Sequence, residues 1–516
     1  MLRSPRLSVI PGFLGAQLTP ASSAILQRRT LAILTNGTHP VHQTARTLSR
    51  PSAFRLAKRN HSTAPAAGNP QIRSVTAHNG ALSLEFRDAG ATSKPLHLST
   101  LWLRDSCACP HCVDPDSGQK NFSTADLPDA PALLSAEVTP AGSLQIVWAN
   151  DVLSQGASHT STYSASEITS WCHDHGVRTP HVLPVERTLW DRATYNNLLS
   201  SGYCRISYTD WLHDEDAFWD AFSKLCETGL IFVAGVPESE TEVATIANRI
   251  GILQYTFYGF TWDVRSKPRA ENVAYTSQFL GLHQDLMYHV PIPRLQLLHC
   301  LANSCEGGES LFSDAVRAAY ELKVTKPEMY EALTRKMVPF HYKKGGHYYE
   351  MMRPTILEGE GGLVEGTHWA PPFQAPFKRE PMVQDLADGA VVSDPSDPHR
   401  LAKWKQAAKM FQSSLEAPEN MIEVKLSPGE CVIFDNWRLQ HGRREFVTSQ
   451  GHRWLKGTYI ADQVHRAVEN RLQQRRGAAV PDIVEFRSKL ASTEFEKIAS
   501  LIAARDEQTR IAASGR

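Results

Sequence analysis

Between residues 71 and 185 apolar and polar positions exchange every one or two residues. Ala81-Leu82-Ser83-Leu84-Glu85-Phe86 alternates, and Ser143-Leu144-Gln145-Ile146-Val147-Trp148 does so in part. A period of two marks a strand with one buried face. Asn79-Gly80 and Ala141-Gly142 stand ahead of these runs as turn signals. Residues 71–185 therefore read as a small β-rich domain.

The pattern changes over residues 186–470. Helical spacing is expected around Asp214–Thr228 and Glu238–Arg249. Apolar strand candidates follow at Gly229–Gly235, Leu295–Leu301, Glu309–Phe312, Ile422–Leu426, Glu430–Asp435 and Trp454–Ile460. Short strands separated by Pro and Gly favour a sandwich or jelly roll over a parallel sheet. Glu358–Asp397, rich in Gly and Pro, reads as loop. Apolar residues at 483, 486, 490, 495, 498 and 501 give residues 471–516 the look of a helical tail. The expected class is mainly β with flanking helices, and no internal repeat interrupts it.

Composition adds little for most of the chain. It is 42% hydrophobic and 21% charged, which permits a sizeable core, and its formal net charge is zero. There is no basic excess to suggest a nucleic-acid partner. No run of about 18 apolar residues is present, so no membrane span is expected. The first residues are different. No acidic residue precedes Glu85, whereas Arg3, Arg6, Arg28, Arg29, Arg46, Arg50, Arg55, Lys58 and Arg59 do. A Ser- and Arg-rich start without acids is the signature of an organelle transit peptide, here residues 1–65, and implies a mitochondrial matrix protein. The nine cysteines are an odd number. Those at 172, 204, 226, 300, 305 and 431 are dispersed, as buried thiols of a reducing compartment would be.

Cys107, Cys109 and Cys112 are not dispersed. Three thiols within six residues can converge on one cation, and closed Cys₃His zinc sites are structural. His111 is too close to its neighbours to be a comfortable fourth ligand. His159 suits better, although spacing alone does not select it. A second constellation is His283-Gln284-Asp285 with His441. Two histidines and a carboxylate on one face hold iron in non-haem oxygenases and leave the opposite face open. On an extended strand residues i and i+2 point the same way, so both side chains of the triplet reach one metal. A His-x-Asp triplet is weak by itself. Arg453, twelve residues after His441 at the start of a strand candidate, strengthens it, because a guanidinium can grip a dicarboxylate through a bidentate fork. Gly307-Gly308-Glu309-Ser310 offers a close backbone approach and a hydroxyl.

In this order the parts resemble the taurine dioxygenase-like superfamily, and within it the branch of gamma-butyrobetaine and trimethyllysine dioxygenases, over about residues 71–470. The resemblance implies a double-stranded β-helix (jelly roll) catalytic domain preceded by the zinc-binding domain. It implies iron(II) on His283, Asp285 and His441, and 2-oxoglutarate on Arg453 with Leu298 and Ser310 lining its pocket. It also implies structural zinc on Cys107, Cys109, Cys112 and His159, O2 as co-substrate and ascorbate as reductant. A homodimer is expected by the same likeness.

A trimethylammonium group cannot donate a conventional hydrogen bond and is best held by aromatic faces. By likeness to the butyrobetaine branch, Tyr258, Trp262, Tyr275 and Tyr459 form such a cage and Asn272 holds the substrate carboxylate. Carnitine formation from gamma-butyrobetaine is the leading expectation, because Phe257-Tyr258-Gly259-Phe260-Thr261-Trp262 is closer to the butyrobetaine type. Trimethyllysine hydroxylation is the nearest alternative. A non-catalytic zinc-stabilised binding module with a relic iron site is the alternative from another class. One departure stands out: His368-Trp369-Ala370-Pro371-Pro372-Phe373-Gln374 has no Asn where the butyrobetaine branch brings one towards the substrate.

Overall fold

A computed structural model describes residues 71–514, apart from 79, 88–94, 150, 152, 154–157, 173–183, 266–276, 378–397 and 478–482. The expected transit peptide, residues 1–65, lies outside the described residues, as do Asn272 and Tyr275.

The alternating runs of the front region become two antiparallel three-stranded sheets. One is Gln71–His78, Ala81–Arg87 and Leu96–Ser99; the other is Leu133–Val138, Leu144–Trp148 and His159–Tyr163. Their inward positions, among them Ile72, Leu82, Leu84, Leu144, Ile146 and Trp148, fill one core. The buried indole of Trp148 donates to Ser161 Oγ at 2.8 Å, which satisfies its polar edge and ties the last two strands.

The larger region is built on two sheets. The six-stranded one runs Arg205–Ser207, Leu230–Ala234, Glu430–Asp435, Pro293–Asn303, Arg453–Ala461, Thr261–Arg265. The four-stranded one runs Leu280–His283, Leu439–Arg443, Ser310–Asp314, Met421–Val424. All pairings in both are antiparallel except that of the edge strand Arg205–Ser207. The central strands are apolar on both faces, and the two faces serve different cores. Leu230, Phe232, Val432, Phe434, Leu298 and Leu455 point between the sheets, where Phe312, Ile422 and Leu439 meet them. Ile231, Val233, Ile433, Leu295 and Leu297 point outward under helices. A strand covered on both sides shows a continuous apolar run instead of alternation.

The covering helix Glu215–Thr228 shows how sequence fixes its ends. Asp214 Oδ1 accepts from the backbone N–H groups of Asp216 and Ala217, both at 3.0 Å, and Gly229 closes the other end at φ 76°. Phe218, Phe222 and Leu225 fall on one face and bury against Ile231 and Val233. Each such side chain contributes about 1.5–3 kcal/mol.

The strands thus follow the pattern read from the chain to within a residue or two at their ends. Several elements were not anticipated: helices Ala315–Thr325, Pro327–Arg335 and Pro398–Glu416, and the hairpin Met337–Lys344 with His347–Pro354. Within the stretch expected to be loop, Val364–Thr367 pairs with Ile356–Glu358. Helix Asp462–Arg475 crosses the expected boundary at residue 470, and the tail helix spans Ile483–Ser514. No described helix is long and apolar enough to cross a membrane.

Candidate active site

The antiparallel register of Leu280–His283 on Leu439–Arg443 sets His283 directly opposite His441. Their rings lie 4.3 Å apart between centroids. The strand then ends. Asp285 sits in the following turn, not on an extended strand with His283, which corrects the i, i+2 argument made from the sequence. Neighbouring side chains impose the turn. Asn436 accepts from the Asp285 backbone N–H at 2.8 Å and donates to the Asp285 carbonyl at 3.1 Å. Gln284, fully buried, donates to the Asn436 and Trp437 carbonyls at 2.7 and 2.9 Å and accepts from Trp369 N–H at 2.9 Å. Leu286 takes φ 60°, a left-handed conformation that branched side chains rarely adopt and that clusters at functional sites.

The turn brings the Asp285 carboxylate back towards both rings. Oδ1 is 3.4 Å from His283 Nε2, and Oδ2 is 4.0 Å from His441 Nε2. His283 Nδ1–H donates to the Gly281 carbonyl at 2.9 Å, which leaves the Nε2 lone pair for the cluster. Tyr459 Oη donates to Asp285 Oδ2 at 2.7 Å. Burial pushes the Asp285 carboxyl up, but His283, His441 and Tyr459 outweigh it and hold the group well below the usual carboxylate range. Burial, and then the neighbouring His283, pull His441 down to about 3, so its ring is neutral. The ligand atoms of His283, Asp285 and His441 all lie within 4.8 Å of one another. Two imidazoles and a carboxylate, with no thiolate, are a donor set that suits ferrous iron.

The cluster opens into a cavity of about 70 Å³. At one end stand Arg453 and Arg443, both over the ring of Phe446. Burial pulls Arg453 down to about 10; burial, then Arg453 itself, pulls Arg443 down to about 9. Two buried cations side by side call for an anionic partner, and a carboxylate matches the guanidinium fork. Arg453 Nε donates to the Gly308 carbonyl at 3.3 Å, and a Cβ on Gly308 would come within 3.1 Å of the Arg453 side chain. Leu298 and Ser310 line the same cavity. Arg443 was not singled out from the sequence. Its signal is its position two residues beyond His441 on the same strand, hence on the same face.

The remaining wall is aromatic. Tyr258, Trp262 and Tyr459 line it, with Tyr288 and Phe373, which the sequence did not mark. Trp262 and Tyr459 stack at 4.0 Å with their planes 24° apart, so no cation fits between these two rings. Gly457 permits the stack: a Cβ there would sit 2.6 Å from the indole. Gln296 also lines the cavity, and its Oε1 has no hydrogen-bond partner among the described residues.

A second cluster lies in the front region. His159 Nε2 is 3.5, 3.8 and 3.4 Å from the sulfurs of Cys107, Cys109 and Cys112. His111 turns away to bond the Leu153 carbonyl at 3.3 Å. The pairing of Trp148 with His159 places the histidine at the start of its strand, against the cysteine loop. A hydrogen bond between Cys112 and Cys107 lowers the latter and raises the former, as expected of two thiols sharing a proton. A cation with thiolate affinity would replace that proton, and three sulfurs with one imidazole suit zinc. Arg104 donates from Nη1 to Cys112 Sγ at 3.3 Å and from Nε to Asp151 at 2.5 Å.

Comparison with known proteins finds a matching family model for each region. The model of the family "Taurine catabolism dioxygenase TauD, TfdA family" matches residues 195–459, and that of "Gamma-butyrobetaine hydroxylase-like, N-terminal" matches residues 58–168. "Dioxygenase str8" of Strobilurus tenacellus is 34% identical over 426 residues, 76% of this chain and 92% of that protein. Gamma-butyrobetaine dioxygenase of Homo sapiens is 26% identical over 361 residues, 70% of this chain and 87% of its own. "Trimethyllysine dioxygenase, mitochondrial" of Mus musculus is 26% identical over 380 residues, 73% and 82%.

Proposed function

This chain belongs to the taurine catabolism dioxygenase TauD, TfdA family, and we propose that it hydroxylates a small trimethylammonium substrate, gamma-butyrobetaine first among them. It is a dioxygenase that uses iron(II) and 2-oxoglutarate. In this reading His283, Asp285 and His441 hold the iron, and Arg453 grips the far carboxylate of 2-oxoglutarate beside Leu298 and Ser310. Iron, keto acid and O2 together supply the oxidising power that turns a C–H bond into C–OH while the keto acid leaves as succinate and carbon dioxide.

The observation that carries the substrate reading is the aromatic wall beside Asp285. Tyr258, Trp262 and Tyr459 line the cavity, and aromatic rings attract a cation that cannot donate hydrogen bonds. Because Trp262 and Tyr459 are stacked, the methyl groups would rest against their outer surfaces and Tyr258, with Tyr275 closing the cage and Asn272 on the carboxylate. The protein's contribution is then positional: one carbon is held facing the metal.

Residues 71–185 serve in this reading as the zinc-binding domain, 186–470 as the oxygenase domain and 471–516 as a helical tail. The acid-free start, together with a mitochondrial relative, supports a mitochondrial location. The test is succinate production with iron(II), ascorbate and 2-oxoglutarate, each substrate offered separately. Stimulation by gamma-butyrobetaine is expected. Stimulation by trimethyllysine alone moves the reading to that enzyme, and stimulation by neither refutes the trimethylammonium class.

A further inference from the structure

A second cavity, of about 60 Å³, lies away from the aromatic pocket and shares none of its lining residues. It is close to the first in size, about 70 Å³. Its wall joins separate elements. Arg294 comes from strand Pro293–Asn303, Asp435 from strand Glu430–Asp435, His465, Arg466 and Glu469 from helix Asp462–Arg475, and Arg487 from the tail helix Ile483–Ser514.

Most of the charge there is already matched. Arg294 donates to Asp435 at 2.8 Å and reaches Asp462 at 3.5 Å; Arg466 pairs with Asp462 at 2.7 Å; Arg487 pairs with Glu365. What is unmatched is of one kind. Arg294 Nε, Arg487 Nε and His465 Nδ1 are buried without a hydrogen-bond partner among the described residues, although His465 Nδ1 lies 3.8 Å from the Glu469 carboxylate. The side chains of Arg487 and His465 are only 5% and 3% exposed. A buried donor left unsatisfied is costly, and native structures satisfy nearly all of them. Two of these orphaned atoms, on Arg294 and Arg487, are guanidinium N–H donors, so the partner they lack must bring acceptors.

We propose that this cavity binds a small oxyanion, a phosphate or a short carboxylate, which bridges Arg294 of the sheet to Arg487 of the tail helix. An oxyanion offers several acceptor oxygens at once, and charge-assisted bonds to guanidinium are the strong ones. Bound there, it ties the tail helix to the β core. The site is independent of the substrate reading, since none of its residues touches the aromatic pocket.

The test titrates phosphate, and separately acetate, against chloride at constant ionic strength, using the full chain. Thermal melting and calorimetry are the readouts. Arg453 can also bind anions, so the same titrations on Arg453→Gln isolate the second cavity. A saturable rise of about 2–4 °C with one oxyanion is expected in both proteins, and whichever anion gives it identifies the class. Arg487→Lys keeps a positive charge but removes the orphaned donor. It should weaken the anion about tenfold or more. Arg294→Lys provides the same comparison if the first variant does not fold. No saturable heat or melting shift in Arg453→Gln overturns the proposal, because water alone would then fill the cavity. An unchanged anion affinity in a folded Lys variant overturns it equally.

Discussion

The two metal-type clusters of this chain are built on opposite plans. In the front region Cys107, Cys109, Cys112 and His159 offer four donors that surround a centre. In the larger region His283, Asp285 and His441 offer three, and the side away from them opens into a cavity. A tetrahedral ion enclosed by four protein ligands has nothing left to offer chemistry, whereas three ligands leave positions for co-substrate and oxygen. The difference extends to the neighbours. Arg104 and Asp151 pair beside the cysteines, while Tyr459 bonds Asp285 and also forms part of the aromatic wall of the cavity. Removing the first centre should therefore cost stability, and removing the second should cost turnover.

The largest expected effect sharpens that division. His283→Ala should lower turnover on the order of 10³-fold or more while melting within about 4 °C of the wild type; retained turnover would remove the histidine from the metal set. The converse is Cys112→Ser. It should abolish zinc in metal analysis and lower the melting temperature, because structural zinc contributes folding energy directly. If Cys112→Ser melts like the wild type, the front cluster is not structural and the contrast fails. Arg453→Gln should raise the 2-oxoglutarate requirement about 10–100-fold, leaving zinc content unchanged. Arg104→Ala should weaken zinc about 10–100-fold in competition with a chelator, the usual range for an outer-shell partner.

The smallest effect concerns pH. His368 is buried, and burial pulls it down to about 4, with its Nδ1–H donating to the Pro354 carbonyl at 2.7 Å. Unfolded, it titrates near 6.5, about the ordinary value. Below that pH the unfolded chain takes up a proton that the folded chain refuses. The contribution is intact above pH 6.5 and declines as pH falls towards 4, by about 1.4 kcal/mol per unit at most. Urea unfolding at pH 7.5 and pH 5 should show a shallower decline in His368→Gln than in the wild type; parallel declines would refute the assignment.

The front strands were legible from alternation, and the central strands of the larger region because both of their faces are buried, which leaves continuous apolar runs. The helices Ala315–Thr325 and Pro398–Glu416 were not, since their apolar positions share sequence space with polar ones needed for ion pairs such as Arg317 with Glu321. In the site, His283 and His441 could be named from their flanks, but the turn at Asp285 could not. It depends on Asn436 and Gln284, whose bonds join residues far apart in sequence. Tyr288 and Phe373 reach the cavity only through the packing of turns against the strands, which no local pattern encodes, whereas Arg443 carries a local signal in its spacing from His441. The aromatic cage was an inference from likeness. The stacking of Trp262 on Tyr459 gives those two rings a geometry that the likeness did not specify.

The register that sets His283 across from His441 has a consequence for how the molecule is made. In the front cluster the three cysteines are neighbours and His159 follows Cys112 by 47 residues, so that centre can assemble from one short stretch of chain. The second centre cannot. His283 and Asp285 lie on one segment and His441 on a strand far along the chain, so the site exists only once those strands have paired. Until then, half a binding site is presented to whatever divalent ions the compartment holds. Loading the correct metal is then a question of timing during biogenesis as much as of affinity in the finished protein.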